Sequence, residues 1–155
     1  MSETPNKYTA IIIDDELRAR VLLQGMLESV VPEVEVVALC EDLPSGIKAI
    51  RKFQPDLVYL DIEMPGNSGL ELLDFFNEED IRFSIIFTTA YSHYAIKAFK
   101  LSAIDYLLKP IEQDELTASF DRFKRTNQRD KNNYSLLQEN LRVTDAQKLA
   151  VPSGN

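Results

Sequence analysis

Asp61 closes an apolar run, Leu57 to Leu60, and a turn-rich tail, DIEMPGNSG, begins with it. A carboxylate at the rim of a core is costly unless something compensates it. Two more acids, Asp14 and Asp15, close another apolar run, YTAIII, Tyr8 to Ile13. Three carboxylates converging on one place repel each other and need a cation to stay ionised. Oxygen ligands from one or two carboxylates, completed by water and phosphate oxygens, match Mg²⁺. A carboxylate is also a workable nucleophile toward phosphorus and yields an acyl phosphate. That attack needs positive charge facing the transferring oxygens. Lys109, after the run AIDYLL, offers an ammonium, and the Pro110 that follows allows a cis bond that would aim it inward. Thr88 and Thr89 end the run FSIIFTTA and offer hydroxyls. Strand alternation turns only one of the two to such a site, and the residues alone do not choose. Asp14 or Asp15, taken singly, would serve equally well as a helix cap.

For these groups to meet, their runs must be strands of one sheet. Apolar, β-branched runs alternate with helical patterns along the chain: YTAIII, VEVVALC, DLVYL, FSIIFTTA and AIDYLL against ELRARVLLQGMLESVV, LPSGIKAIRKFQ, SGLELLDFFNEE, SHYAIKAFKL and EQDELTASFDRFKRT. Five strands alternating with five helices predict an α/β fold, a parallel doubly wound sheet covered on both faces. The flavodoxin-like strand order is 2-1-3-4-5, with the ligand site where the order reverses, between strands 1 and 3. Those two strands end at Asp14, Asp15 and Asp61. Glu33 and Glu35 near the start of VEVVALC suit an edge strand. Gly66 and Gly69 predict a tight turn into the third helix. After about Thr126 the chain turns polar, with Leu136, Leu137 and Leu141 at spacings a helix could use. Residues 127–147 are either a helical extension or a linker. The last stretch, KLAVPSGN, resembles the opening strand of a further domain.

The bulk numbers bound the function. The chain has 155 residues, 45 % hydrophobic and 27 % charged, enough for one domain with a buried core. No apolar run approaches the roughly 18–20 residues that cross a bilayer, and MSETPNKYTA has no signal pattern, so no membrane role is expected. One cysteine, Cys40, cannot form an internal disulfide, and a cytoplasmic location is the expectation. A net charge of −8 repels nucleic acid, so this chain should not bind DNA by itself. One histidine, His93, excludes a histidine-rich metal site. No GxxxxGK(S/T) or GxGxxG pattern supports nucleotide binding. A flavin carrier would want hydroxyls and glycines after strand 1, where this chain has DDEL. An aspartyl phosphatase would want a substrate-covering cap, for which 155 residues leave little room.

IIIDDE, LVYLDIEMPG, IIFTTA and IDYLLKP, in this order and at these separations, resemble the receiver domain of two-component response regulators. The resemblance covers roughly Lys7 to Arg125, and it implies a receiver over residues 7–126. It implies Asp61 as phosphoacceptor from a sensor histidine kinase. It implies Mg²⁺ held by Asp15 directly, by Asp14 through water, by Asp61 and by the backbone carbonyl of Glu63. Thr89 would follow the phosphoryl group, Lys109 would pair with it, and Tyr106 would be the rotating switch aromatic. Glu63 and Tyr91 stand where such receivers vary and tune dephosphorylation. The stretch AYSHYAIKAFKLSAIDYLLKPI is similar to receivers joined to LytTR-type DNA-binding domains, so residues 148–155 would open such an output domain and DNA would be reached only through it. The implied role is a signalling phosphoacceptor that assists its own phosphorylation and dephosphorylation, not an enzyme. Phosphorylation would favour a homodimer through the fourth helix, fifth strand and fifth helix. The competing reading is a phosphorylation-independent pseudo-receiver that serves as an interaction or dimerisation module.

Overall fold

The structure is a computed structural model that describes residues 8–91 and 105–127. The fourth predicted helix, with His93, lies outside the described residues, as do residues 128–155. Five strands form one parallel sheet: β1 (Tyr8–Ile13), β2 (Val34–Cys40), β3 (Leu57–Asp61), β4 (Ser84–Thr89) and β5 (Asp105–Leu108). Their order is β2-β1-β3-β4-β5, as the flavodoxin-like reading requires. β2 is an edge, and five of its seven residues, Glu35 to Leu39, are partly or well exposed, which fits one. By clustering of contacts the chain divides into compact units 1–122 and 123–155; in the second, the described residues 123–127 are helical.

Alternation along each strand feeds two cores. Ile11 and Ile13, Val58 and Leu60, and Ile85 and Phe87 pack with Leu43, Ile47 and Ile50 of α2 (Leu43–Phe53). The other parity, Ala10, Ile12, Tyr59, Ile86 and Leu107, is equally buried. On α1 (Leu17–Val30) the buried residues are Leu23 and Leu27, one turn apart. A helix over 113–127 (α3) buries Leu116 and Phe120, and the Phe120 ring meets Tyr8 edge-on at 5.8 Å. Both faces of the sheet are therefore dry, which is why its strands read as continuous apolar runs.

Local chemistry sets the helix ends. α2 starts at a capping box in which Asp42 Oδ1 accepts from Ser45 N–H at 2.8 Å. It stops at Gln54, in the left-handed region at φ 47, immediately before Pro55. The third predicted helix is different. SGLELLDFFNEE folds as two 3-10 turns, Gly69–Phe75 and Glu78–Asp80. The reason lies at its two ends. Ser68 and Glu71 close the start reciprocally, the Leu70 N–H donating to Ser68 Oγ and the Ser68 N–H to Glu71 Oε2. At the other end Phe76 leaves the helix for an extended conformation, φ −130, and its ring packs edge-on against Phe83 at 5.4 Å. Arg51 lies 5.1 Å above the Phe76 ring and donates to the Phe75 carbonyl at 2.7 Å. Tertiary packing of Phe76 overrides a helical pattern that propensity alone would have continued.

Candidate functional site

The parallel register brings the acids together. β1 lies between β2 and β3, with Ile13 opposite Leu60, so Asp14 and Asp61 leave the sheet side by side. Across β3, Asp61 is opposite Thr88, and Thr89 is opposite Leu108. The Lys109 N–H donates to the Thr89 carbonyl at 2.7 Å and so extends that pairing one residue. Asp14, Asp15, Asp61 and Lys109, drawn from three strands, thus share one rim. Two glycines shape the loop behind Asp61. Gly66 turns at φ 86, where a side chain would be strained. Gly69 donates to the Ile62 carbonyl at 2.8 Å, and a Cβ there would stand 2.2 Å from the Asp61 carbonyl oxygen. Only glycine lets this loop lie against the end of β3.

Carboxylate oxygens of Asp14, Asp15 and Asp61 lie within 4.8 Å of one another. Asp14 and Asp61 are each 4 % exposed, while Asp15 lies more open. The Lys109 ammonium donates to Asp14 Oδ2 at 2.7 Å and stands 3.7 Å from Asp61 Oδ1. Burial pushes the Asp61 carboxyl up; Lys109 opposes this, and the charges of Asp14 and Asp15 with a hydrogen bond to Asp15 reinforce it, so the group sits at about 7. Burial pulls the Lys109 ammonium down. The bond to Asp14 and the charges of Asp61, Asp14 and Glu16 outweigh that and hold it above the ordinary lysine value. The site is thus an acid cluster in which, among the described residues, Lys109 is the cation paired with the carboxylates. A divalent ion fits that donor set: hard oxygens, two of them in a dry setting, with one carboxyl that sheds its proton only against a cost.

The sequence left open whether an aspartate here is spent on capping α1. Neither is. The N-cap is Glu16, which makes no side-chain cap bond. Asp14 Oδ1 instead accepts from the Glu16 N–H at 3.0 Å, and Asp14 Oδ2 holds Lys109. The Lys109–Pro110 peptide is cis.

Thr88 and Thr89 are both buried at the rim. Thr89 Oγ1 accepts from the Tyr91 N–H at 3.2 Å, and the Tyr91 carbonyl accepts from the Tyr106 hydroxyl. Two hydrogen bonds to the main chain of one residue, Tyr91, therefore join Thr89 to Tyr106. Thr88 lines a cavity of about 200 Å³ with Asp14, Lys109, Pro110, Leu22 and Met26. Glu63 lies exposed in the loop after β3. Two participants carry no signal in the residue types: the Tyr91 backbone, which links the threonine to the tyrosine, and Arg20, whose Nη1 donates to the Asp14 carbonyl at 2.6 Å. Bonds to main-chain atoms leave no pattern in a sequence beyond a polar residue within reach.

The family model for the response regulator receiver domain matches residues 10–121. The transcriptional regulatory protein BtsR of Salmonella typhi is 42 % identical over 134 residues, which is 84 % of this chain and 53 % of that protein. BtsR of Escherichia coli K12 is 42 % identical over 130 residues, again 84 % and 53 %. The chain spans about half the length of the curated relatives it matches. Among solved structures, the signal receiver domain of a putative Luxo repressor protein from Vibrio parahaemolyticus superposes with a TM-score of 0.70 at 27 % identity, covering 80 % of this chain and 95 % of that one. The REC domain of AraT, a response regulator from Geobacillus stearothermophilus, gives 0.70 at 27 % identity over 80 % and 98 %. With its strand order, its acid cluster and these matches taken together, the chain belongs to the response regulator receiver domain family.

Proposed function

We propose that Asp61 accepts a phosphoryl group from the phosphohistidine of a sensor kinase and that the domain reports this through Thr89 and Tyr106. An Asp61 carboxylate oxygen attacks phosphorus, an O–P bond forms, the P–N bond to the donor histidine breaks, and the electron pair leaves with the imidazole. Mg²⁺ would be held by Asp14, Asp15, Asp61 and the Glu63 carbonyl; when bound it supplies positive charge to the transferring oxygens. Lys109 is the chain's own contribution to that charge. It pairs with Asp14 now and is within reach of an oxygen on Asp61 once a phosphoryl group is there. The observation that carries the reading is this ammonium, set between two buried carboxylates at the switch point of the sheet.

The added group brings about −1.5 to −2 charge and three strong acceptors. Thr89 would turn its hydroxyl toward it, at the expense of the bond from the Tyr91 N–H. A shift of the residue 91 main chain on losing that bond would reach the Tyr106 hydroxyl, which is bonded to its carbonyl. Moving such a switch from rare to dominant takes on the order of 5 kcal/mol, which charged hydrogen bonds to a phosphoryl group can supply. Homodimerisation through the fourth helix, β5 and α3 is the proposed readout. It is supported by Leu108, 41 % exposed on the edge strand β5. The donor kinase would dock over α1, whose Leu17, Val21 and Leu22 are exposed and whose Leu22 shares the cavity beside Asp14 and Lys109.

In this reading residues 7–126 are the receiver, 127–147 connect it onward, and 148–155 begin a LytTR-type DNA-binding domain. The relatives named transcriptional regulatory proteins, about half of whose length the match covers, support control of transcription as the output of the whole protein. Among the described residues no helix is long and apolar enough to cross a membrane. The direct test is incubation with Mg²⁺ and acetyl phosphate followed by mass measurement of the intact chain. Wild type should gain one phosphoryl group and Asp61→Asn none; equal labelling of both removes Asp61 from the role.

A further inference from the structure

We propose that Arg20 is a positioning residue for phosphoryl transfer, acting through the Asp14 carbonyl to set the two acids of the β1–α1 turn against Asp61. The proposal rests on the reading of Asp61 as phosphoacceptor.

Asp14 is held at every polar atom. Its N–H donates to the Cys40 carbonyl at 3.0 Å, Oδ1 accepts from the Glu16 N–H at 3.0 Å, and Oδ2 accepts from Lys109 at 2.7 Å. Its carbonyl accepts from Arg20 Nη1 at 2.6 Å, the shortest of the four. That carbonyl belongs to the peptide unit joining Asp14 to Asp15. The unit is planar, so fixing its oxygen also fixes the Cα from which the Asp15 side chain leaves. Three of the four contacts on Asp14 come from main chain or from Lys109. Arg20 ties the body of α1 to the turn by a side chain.

The need for such a tie follows from the local structure. α1 begins at Glu16 with no side-chain cap, because the acids that would cap it are turned to the site. In the turn between the strand and the helix two carboxylates face Asp61 and their charges repel it. Left to themselves, the acids would relax that repulsion by swinging apart. A charged donor on the carbonyl resists this and brings a positive charge into an acid-rich corner. Arginine suits the task better than lysine, because its fork presents several donors in a fixed plane at the end of a long stem.

The experiment compares the 155-residue chain with Arg20→Ala and Arg20→Lys, with Asp61→Asn as the control for the underlying reading. Mg²⁺ affinity is measured by calorimetry, and the rate of phosphorylation by acetyl phosphate is measured at saturating Mg²⁺, both well below each variant's unfolding temperature. Loss of one charge-assisted bond predicts an affinity weakened about tenfold in Arg20→Ala, with a slower transfer rate even when Mg²⁺ saturates. Arg20→Lys, which keeps charge and one donor, should recover a substantial part of both. Arg20→Ala with wild-type affinity and rate overturns the proposal, whatever its unfolding temperature, since that is the behaviour of a purely structural contact. Should the alanine variant not fold, Arg20→Met, which keeps the stem and removes charge and donors, takes its place, and wild-type values in it for both quantities overturn the proposal. Wild type that takes no label, or Asp61→Asn labelled like wild type, would instead sink the phosphoacceptor reading and this proposal with it.

Discussion

Asp61 is buried beside the like charges of Asp14 and Asp15, and its titration carries the cost of that combination. Its carboxyl sits at about 7 in the folded protein against 3.8 ordinarily. The folded state therefore holds a proton that the unfolded chain has already lost across the interval from about 4 to about 7. Stability from this group is complete below the unfolded value and fades as pH rises through the folded one. Metal-free Asp61→Asn, which has no proton to lose and no repulsion to relieve, should melt above wild type by a margin that widens between pH 5 and 8. A margin independent of pH would contradict the assignment. In the proposed function the same titration couples to the metal, because Mg²⁺ would displace that proton. Apparent Mg²⁺ affinity should fall about tenfold for each pH unit below about 7, measurable by calorimetry in buffers of different ionisation enthalpy. Tyr59 makes a separate case. It is fully buried in β3, and its hydroxyl has no hydrogen-bond partner among the described residues. An unpaired buried hydroxyl costs about 1–3 kcal/mol, so Tyr59→Phe should be neutral or stabilising in urea unfolding. A loss above about 1 kcal/mol would mean that an ordered water completes the bond.

Elements were legible to different depths, and the differences have physical causes. Strands buried on both faces announce themselves as unbroken apolar runs, so β1, β3 and β4 and the acids that end β1 and β3 could be read directly. From their alternation with helices came the strand order, and from the order the meeting point of Asp14, Asp15 and Asp61. The segment 68–80 could not be read the same way. Its apolar spacing fits a helix, but the ring of Phe76 is taken by Phe83 and Arg51, and that competition is visible only in three dimensions. The Thr89–Tyr91–Tyr106 chain and the Arg20 contact escaped for another reason, since each ends on a main-chain atom. Gly69 lies between these cases. A turn was evident at Gly66 and Gly69, but not that Gly69 presses on the carbonyl of the acid itself. Gly69→Ala would set a Cβ 2.2 Å from that oxygen, against backbone that can yield only by shifting the end of β3. Overpacking of this kind costs about 1–3 kcal/mol. Thermal unfolding should register that loss, and Mg²⁺ affinity should fall with it because Asp61 moves. Gly66→Ala, where no atom lies within 4 Å but φ is 86, should lose stability through strain with a smaller effect on the metal.

At the scale of the whole molecule the net charge of −8 bears on the proposed output. Two copies that associate each bring that charge, and phosphorylation adds to it on both sides. Attraction between the monomers must then come from the contact surface, against a long-range repulsion between like bodies. Salt shortens the reach of such repulsion: the Debye length is about 10 Å at 0.1 M and about 3 Å at 1 M. Contacts between apolar groups such as Leu108 survive that screening, whereas ion pairs across an exposed interface weaken. The expected outcome is that the Mg²⁺–beryllofluoride form of the chain dimerises in sedimentation velocity. Its dissociation constant should tighten as NaCl rises from 0.05 to about 0.5 M, toward the range where that repulsion is screened within a few ångströms. Asp61→Asn under the same conditions should stay monomeric. A dimer that loosens steadily with salt would mean that complementary charges hold the interface, and the exposed Arg122–Asp105 pair between α3 and β5 would be the first place to look for an exchanged partner. A chain that remains monomeric in every condition, though labelled at Asp61, would separate the phosphoacceptor chemistry from dimerisation and leave the proposed readout without support.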